Sequence, residues 1–367
     1  MITLWVVGVS FLLSVLITPL VIKLSQAFKI IDYPTRPHPA ILHKKPLPRG
    51  GGLAIFAAIL LTYLFFVFLE PTLITKHIIG VFLGALIVVV VGLLDDKYDI
   101  NPYVRLLSNF LAALAVVAFG VGINWITNPF GGQIRFDEII LHFTLPQGYP
   151  FGGPHSIVLF ADLFAFLWIA WLMNALNWSS GVDGQISGIA AIASVTLGFV
   201  SISYLSSDPS QVPLAILAFA TAGSYLGFLP WSFFPQKIMP GYSGASLAGF
   251  MIAVLSILAG GKLAIAAIVL AVPLVDGAWT VGRRVLSGKI PVWGDKEHLH
   301  HHLIALGWSI PKIAIFYYFL TALFAIFAIS LDSRGKFFAI VMIFAILLAA
   351  LLTIAAVARK FGVKSND

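Results

Sequence analysis

The sequence contains no cysteine. That excludes disulfides, thiolate metal sites and cysteine nucleophiles, and leaves the redox compartment open. Charge is the second thing in short supply. Asp, Glu, Lys and Arg make up 10% of the 367 residues, where a soluble fold carries roughly a quarter. Hydrophobic residues reach 60% and mean hydropathy is +1.00. A water-facing surface cannot be covered from that composition, so two or three soluble domains are excluded and the solvent is lipid. No internal repeat or low-complexity tract is visible. The net charge of +7 is modest and fits membrane topology and anionic headgroups, not nucleic acid.

What is present is a series of long apolar runs. A spanning helix needs about 20 largely apolar residues. The runs fall at about 2–25, 51–69, 77–94, 103–125, 156–176, 184–205, 211–229, 243–258, 263–283, 311–331 and 336–357. The eighth is short and the Ala259-Gly260-Gly261-Lys262 boundary after it is tight, so the expectation is an all-α polytopic membrane protein of ten or eleven transmembrane helices. The first run has no basic residue ahead of it, with Lys23 and Lys29 coming late, so it reads as a span and not as a cleaved signal. With eleven spans and the N-terminus outside, 17 Lys and Arg fall on one side and 5 on the other. The positive-inside rule makes the first side cytoplasmic, and the C-terminus with it. The expected cytoplasmic loops are about 26–50, 95–102, 177–184, 230–242 and 284–310 in a single domain, 1–367, with an external loop at about 126–155. In that external loop the alternation from Gln133 to Ile139 suits a short hairpin.

Five polar or Gly-rich segments fall on the basic side. The first holds Asp32, Pro34 and the run His43-Lys44-Lys45-Pro46-Leu47-Pro48-Arg49-Gly50-Gly51-Gly52. A basic, Gly-rich entry to a helix suits a phosphate, because free N–H groups and the helix dipole favour negative charge; a plain positive-inside anchor explains it equally well. The second is Asp95-Asp96 with Asp99 one turn on. Adjacent carboxylates at a membrane border carry a desolvation cost that a cation or catalytic duty would justify; a solvated helix end is the plainer alternative. The third runs from Asn174 and Asn177 to Ser180-Gly181-Val182-Asp183-Gly184. Two Asn three apart share a helix face, and glycine permits close approach to a ligand, although a polar turn is the simpler reading of this segment alone. The fourth, Pro240-Gly241-Tyr242-Ser243-Gly244-Ala245-Ser246, reads by itself as a turn. The fifth places Asp276 inside a span, then Arg283-Arg284, then Asp295-Lys296-Glu297-His298-Leu299-His300-His301-His302-Leu303. Four His in five residues suit either a metal cluster or donors to a diphosphate, and the intramembrane acid is a functional candidate or an Arg partner.

Taken in order, these segments resemble the polyprenyl-phosphate N-acetylhexosamine-1-phosphate transferase family (glycosyltransferase family 4) over about residues 1–310, with the GlcNAc branch nearest. Its D-x-P…H-x-K-P-x-P-R-x-G-G pattern is matched by Asp32, Pro34, His43, Lys45, Pro46, Pro48, Arg49, Gly51 and Gly52. Its G-x-x-D-D-x-x-D pattern is matched by Gly92, Asp95, Asp96 and Asp99, and its D-x-x-H-x-H-H-x-L loop by Asp295, His298, His300, His301 and Leu303. The resemblance implies a multi-pass enzyme of the bacterial plasma membrane with its site facing the cytoplasm. It would transfer sugar-1-phosphate from a UDP-sugar to undecaprenyl or another polyprenyl phosphate, releasing UMP, with Mg²⁺ or Mn²⁺ offsetting diphosphate charge. It also implies roles. Asp95 and Asp96 would serve the lipid phosphate and its deprotonation; Asn174, Asn177 and Asp183 the nucleotide or metal; His298, His300 and His301 the donor diphosphate or sugar; Lys45 and Arg49 the attraction of anions. The expected partners are these two substrates and the bilayer, with a homodimer allowed. Two positions depart from the pattern. Ser180 stands where the third motif has an acid, and in the fourth Tyr242 replaces an acid that ligates magnesium, with Ala245 replacing a serine. Two readings therefore stand: an active transferase built on the remaining acids, and a relative that binds lipid phosphate or nucleotide sugar without turnover. A transporter predicts paired broken spans in two halves, and none is visible.

Overall fold

The computed structural model describes residues 2–35, 43–145, 153–260, 262–290 and 297–360. Of the expected site residues, Asp295 lies outside them. Thirteen helices run in the order α1 (Ile2–Ala27), α2 (Gly51–Leu69), α3 (Lys76–Tyr98), α4 (Pro102–Ala118), α5 (Leu159–Trp178), α6 (Gln185–Ser203), α7 (Gln211–Ser232), α8 (Gly241–Leu258), α9 (Leu263–Val269), α10 (Ala271–Leu286), α11 (Leu299–Ala305), α12 (Ile310–Ser330) and α13 (Ser333–Lys360). Among the described residues nine of these helices are long and apolar enough to cross a membrane, and α9 with α10 makes a tenth, broken one. Helix α4, 17 residues long, is apolar but shorter than these, so the described residues give nine or ten spans where ten or eleven were expected. The polytopic all-α architecture expected from the apolar runs is the one observed. The break was not expected: α9 and α10 meet at 82° inside a run that reads as one continuous span.

Strands are confined to connections. β1 (Ile31–Asp32) pairs antiparallel with β2 (Leu47–Pro48), placing Ile31 opposite Pro48 and Asp32 opposite Leu47. β3 (Trp125–Thr127) pairs with β4 (Gln133–Arg135), so the hairpin expected near Gln133 exists and its partner strand comes from before it. A second hairpin, β5 (Ile140–Leu145) with β6 (Gly153–Val158), lies within the same connection. This one was not read from the sequence.

The packing shows what lipid does to the usual inside-out rule. On α1 the buried side is lined by Ser10, Ser14 and Thr18, whereas Leu12, Leu16 and Leu20 are exposed. Lipid solvates leucine as well as a neighbouring helix would, so association relies on close backbone approach and on hydrogen bonds. Ser10 Oγ accordingly donates to Ala220 O on α7 at 2.6 Å. Gly223 and Gly227 face the α1 carbonyls of Val7 and Phe11, where a Cβ would clash.

Helix α8 is the axis of the bundle. Every residue from Tyr242 to Ile257 is buried, enclosed by α2, α3, α5 and α6. Two glycines permit this approach near its start. A Cβ on Gly52 of α2 would strike the Gly244 amide, and one on Gly92 of α3 would strike Ser243 Cα. Both obstacles are backbone, which cannot step aside as a flexible side chain can. Gly92→Ala is therefore expected to destabilise the protein at the upper end of the roughly 1–3 kcal/mol seen for overpacking. Gly282→Ala, where an added Cβ meets nothing within 4 Å, should be neutral or stabilising by up to about 1 kcal/mol from helix propensity. Thermal unfolding of the two variants in detergent checks the contrast.

Candidate active site

The polar segments meet at one end of the bundle. Asp95 and Asp96 stand on the last turns of α3, and both are buried, Asp95 at 0% and Asp96 at 3% relative exposure. Their surroundings separate them. Asp96 Oδ1 accepts the Tyr242 amide at 2.8 Å, and Oδ2 accepts Ser243 Oγ at 2.7 Å and the Ser243 amide at 3.4 Å. It thus caps the first turn of α8 from a neighbouring helix, satisfying amides that the start of a helix leaves without partners. Gly241, at φ +69°, is the residue that brings α8 onto this carboxylate; a Cβ there would collide with it. Arg49 Nε lies 3.2 Å from Asp96 Oδ1. Burial opposes charge on this guanidinium, but Asp96, Asp32, Asp95 and Asp99 outweigh it and hold its pKa above the ordinary value.

Asp95 is different. Neither of its oxygens accepts a hydrogen bond in the structure, and its nearest ion-pair partner is Arg105 Nη1 at 3.6 Å. Arg105 lies on α4 with its guanidinium 5.6 Å from the centre of the Tyr242 ring, within cation–π range. The Tyr242 hydroxyl donates to Asn109 Oδ1 at 2.9 Å. Sequence reading counted Arg105 only as a basic residue and did not single out Asn109. The available signal was their i, i+4 spacing on an otherwise apolar helix.

The basic, Gly-rich segment does not offer free amides to a phosphate at the start of α2. Gly51 and Gly52 donate to Met239 O and Pro240 O, both at 3.1 Å, while the Met239 amide donates to Pro48 O at 2.9 Å. This segment is stitched to the α7–α8 connection, and it presents side chains to the site in place of backbone. Lys45 is exposed. His43 lies 3.4 Å from Asp32 and donates through Nδ1 to Lys45 O at 2.8 Å.

The connection between α5 and α6 carries Asp183. Its Oδ2 accepts the Gln236 amide at 3.2 Å. Burial raises its pKa above the ordinary carboxylate value, with the Gln236 bond and His43 opposing that rise. Gln185, another residue missed from sequence, clamps the turn by accepting the Val182 amide and donating to Ser179 Oγ, each at 3.2 Å. The Asn174 side chain donates to Ala170 O at 2.7 Å. It also lines an apolar cleft of about 350 Å³ with Leu106, Phe110, Leu167, Trp171 and Trp178. Asn177 contributes its carbonyl to the Ser180 amide at 3.2 Å.

The histidine segment is anchored by the intramembrane acid. Asp276 on α10 accepts His298 Nδ1–H and the Leu299 amide, both at 2.9 Å. Among the described residues, the contacts that Asp276 makes are with His298 and the start of α11. His300 is stacked parallel to His298 (5.7 Å, 6°) and fills the space that a side chain at position 181 would occupy. The His301 ring lies 4.2 Å from that of His300. Burial first, and then the neighbouring His301, His298 and His302, push the His300 pKa well below the ordinary imidazole value. The neutral imidazole is thereby favoured at His300, whose buried Nδ1 has no hydrogen-bond partner among the described residues.

A divalent cation is implied by the resemblance, with Asp183 as a ligand; Asp183 Oδ2 is on the Gln236 amide, and the donors at the end of α3 and the start of α8 do not fit a metal. Mg²⁺ demands an octahedron of oxygen ligands at about 2.0–2.1 Å. Both Asp96 oxygens are committed to α8. Asp95 has a guanidinium 3.6 Å away. Position 242 offers a phenol that donates to Asn109, and position 180 a serine. Among the described residues no three His, Asp or Glu side chains converge as metal ligands, so the metal-cluster reading of the histidines is not supported.

The neutral His300 gives a pH prediction. Its folded pKa lies below the unfolded value of about 6.5, so on acidification the unfolded chain takes the proton first. Stability is complete above that value and falls as pH drops through it. The melting temperature should decline between about pH 7 and 5, and His300→Gln should flatten that decline.

Known proteins are similar to this chain over most of its length. The family model described as "Glycosyl transferase family 4" matches residues 78–260, a stretch running from α3 to the end of α8. A probable undecaprenyl-phosphate N-acetylglucosaminyl 1-phosphate transferase of Bacillus subtilis is 30% identical over 93% of this chain and 88% of its own length. A decaprenyl-phosphate N-acetylglucosaminephosphotransferase of Mycobacterium leprae is 28% identical over 82% of this chain and 76% of its own. A phospho-N-acetylmuramoyl-pentapeptide-transferase of Corynebacterium kroppenstedtii is 28% identical over 88% and 95%. With α3 and α8 carrying the paired acids and the cap that the motifs require, and with relatives aligned along nearly all of its length, the chain belongs to glycosyl transferase family 4.

Proposed function

We propose that this protein transfers an N-acetylhexosamine-1-phosphate, GlcNAc-1-phosphate in the first instance, from its UDP-sugar to a polyprenyl phosphate. This would be the first membrane step of cell-envelope glycan synthesis. The observation that carries the reading is Asp95: a buried carboxylate with no hydrogen-bond donor on either oxygen and an arginine beside it. Leaving a buried acceptor unsatisfied costs roughly 1–3 kcal/mol, a cost that a site awaiting a proton and a substrate accounts for. The names of the relatives supply the substrates.

The chemistry follows from this. A lipid phosphate oxygen attacks the sugar-linked phosphorus of the UDP-sugar. The new P–O bond forms as the bond from that phosphorus to the bridging oxygen breaks, and UMP leaves with the bridging oxygen. Where the lipid phosphate enters as a monoanion, Asp95 accepts its proton. Asp96 holds Arg49 and the start of α8 in register. The apolar cleft beside Asn174 suits the first isoprene units, and Asp183, His298, His300 and His301 suit the donor. The relatives, all named as transferases, favour turnover over binding alone.

We also infer that this end of the bundle faces the cytoplasm of a bacterial plasma membrane, because 17 of 22 Lys and Arg fall on its side in an eleven-span topology.

The test is purified protein with radiolabelled UDP-GlcNAc and undecaprenyl phosphate, with lipid-linked label as the readout. Asp95→Asn should lower kcat by about 10²–10⁴-fold, the usual loss for a general base, without lowering the melting temperature, because it removes a buried charge that no donor satisfies. Asp96→Asn should lower both, because it breaks a cap and an ion pair. Absence of label with the wild-type chain under all conditions, with ligand binding retained, would sink the reading.

A further inference from the structure

Two carboxylates and two guanidinium groups are gathered at the end of α3. Asp95 and Asp96 have no exposed side-chain surface, and the side chains of Arg49 and Arg105 are 12% and 26% exposed. The four come from three places in the chain: the segment before α2, the end of α3 and the start of α4. The charges of these four cancel, and Asp32 and Asp99 also act on Arg49. A phosphoryl-transfer site needs positive charge against the phosphate oxygens as the transition state forms, and the usual sources are metal ions, Lys and Arg. Here a divalent ion at the roughly 2.0–2.1 Å that Mg²⁺ requires of Asp95 would sit close to Arg105, itself 3.6 Å from the same carboxylate. Like charges at that separation repel, and a metal would have to displace the arginine.

Tyr242 fixes which cation wins. Its ring lies under Arg105 and its hydroxyl is tied to Asn109. A carboxylate at 242 would add a ligand for a metal; a tyrosine adds a surface for a planar guanidinium. Arg is suited to the exchange, being permanently charged and carrying five N–H donors in a fork that matches phosphate oxygens.

We propose that Arg49 and Arg105 take over at this site the charge compensation that a divalent cation would supply, so that phosphate binding and transfer proceed without a metal. This rests on the transferase reading above. The balance of the reaction is unchanged: the lipid phosphate oxygen forms the new P–O bond, UMP leaves, and Asp95 takes the proton. Only the positive charge facing the phosphates differs in origin.

Two readouts separate this proposal from the reading beneath it. Mn²⁺ binding to the purified full chain, followed by electron paramagnetic resonance, does not depend on turnover. The expectation is no stoichiometric Mn²⁺ on the wild-type chain and binding on Tyr242→Asp combined with Arg105→Ala. The transfer assay, run with EDTA and with Mg²⁺, should give rates within about twofold of each other for the wild type. Arg105→Ala should lose about 10²–10³-fold, the scale for one transition-state donor, and Arg105→Lys should recover part of it. The double variant should transfer only with Mg²⁺. Stoichiometric Mn²⁺ on the wild type that is lost in Asp95→Asn overturns the proposal, as does transfer abolished by EDTA and restored by Mg²⁺. Should no transfer occur at all, the transferase reading fails and UDP-GlcNAc binding still decides this one. Affinity that EDTA leaves unchanged and Arg105→Ala removes supports it; affinity that EDTA removes overturns it.

Discussion

Asp96 makes three kinds of contact at once: with two amides of the first turn of α8, with the Ser243 hydroxyl, and with Arg49. The arrangement around it depends on that convergence. The start of a helix presents unpaired amides, and within a bundle no water is at hand to satisfy them. Here a carboxylate on α3 does so, and the guanidinium of Arg49 offsets its charge. α3, α8 and the segment entering α2 are thereby held at a common point. The glycines at 52 and 92 belong to the same solution. They let α2 and α3 approach the first turn of α8 closely enough for a side chain as short as aspartate to reach it. Asp95, one residue earlier, points into a different setting and is left without a donor. A single helix end therefore holds a carboxylate saturated with donors and one without any in adjacent positions.

Lipid sets the terms for the rest of the bundle. Water would drive leucine inward, but on α1 the buried positions belong to Ser10, Ser14 and Thr18, and the leucines face out. α8 is buried along its length because it touches helices on all sides. α13 is largely exposed, as a helix with lipid for a neighbour can be. Between these extremes the amount of polar surface that a helix buries follows its place in the bundle.

The sequence was most informative where one residue does one job. Apolar runs gave ten or eleven spans because their length is imposed by bilayer thickness, and the acids, the histidines and Asp183 stood out because lipid makes such residues costly. It was least informative where position depends on partners distant in the chain. Asp95 and Asp96 are indistinguishable as neighbours; only the docking of α8 makes one a cap. Gly51 and Gly52 looked like phosphate ligands because nothing local reveals that residues 239 and 240 claim their amides. Arg105 looked like an anchor because its meeting with Asp95 and Tyr242 requires three helices to be in place. The break between α9 and α10 did have one local signal that was passed over: Pro273, in the first turn of α10, cannot donate to the carbonyl of Val269, the last residue of α9.

That bent helix has a mechanical consequence. Asp276 sits on α10, beyond the 82° turn, and grips both the His298 ring and the first amide of α11. The His298 imidazole and the start of α11 are thus hung from a membrane-embedded bracket, and a pull on either is felt at the bend of α9 and α10.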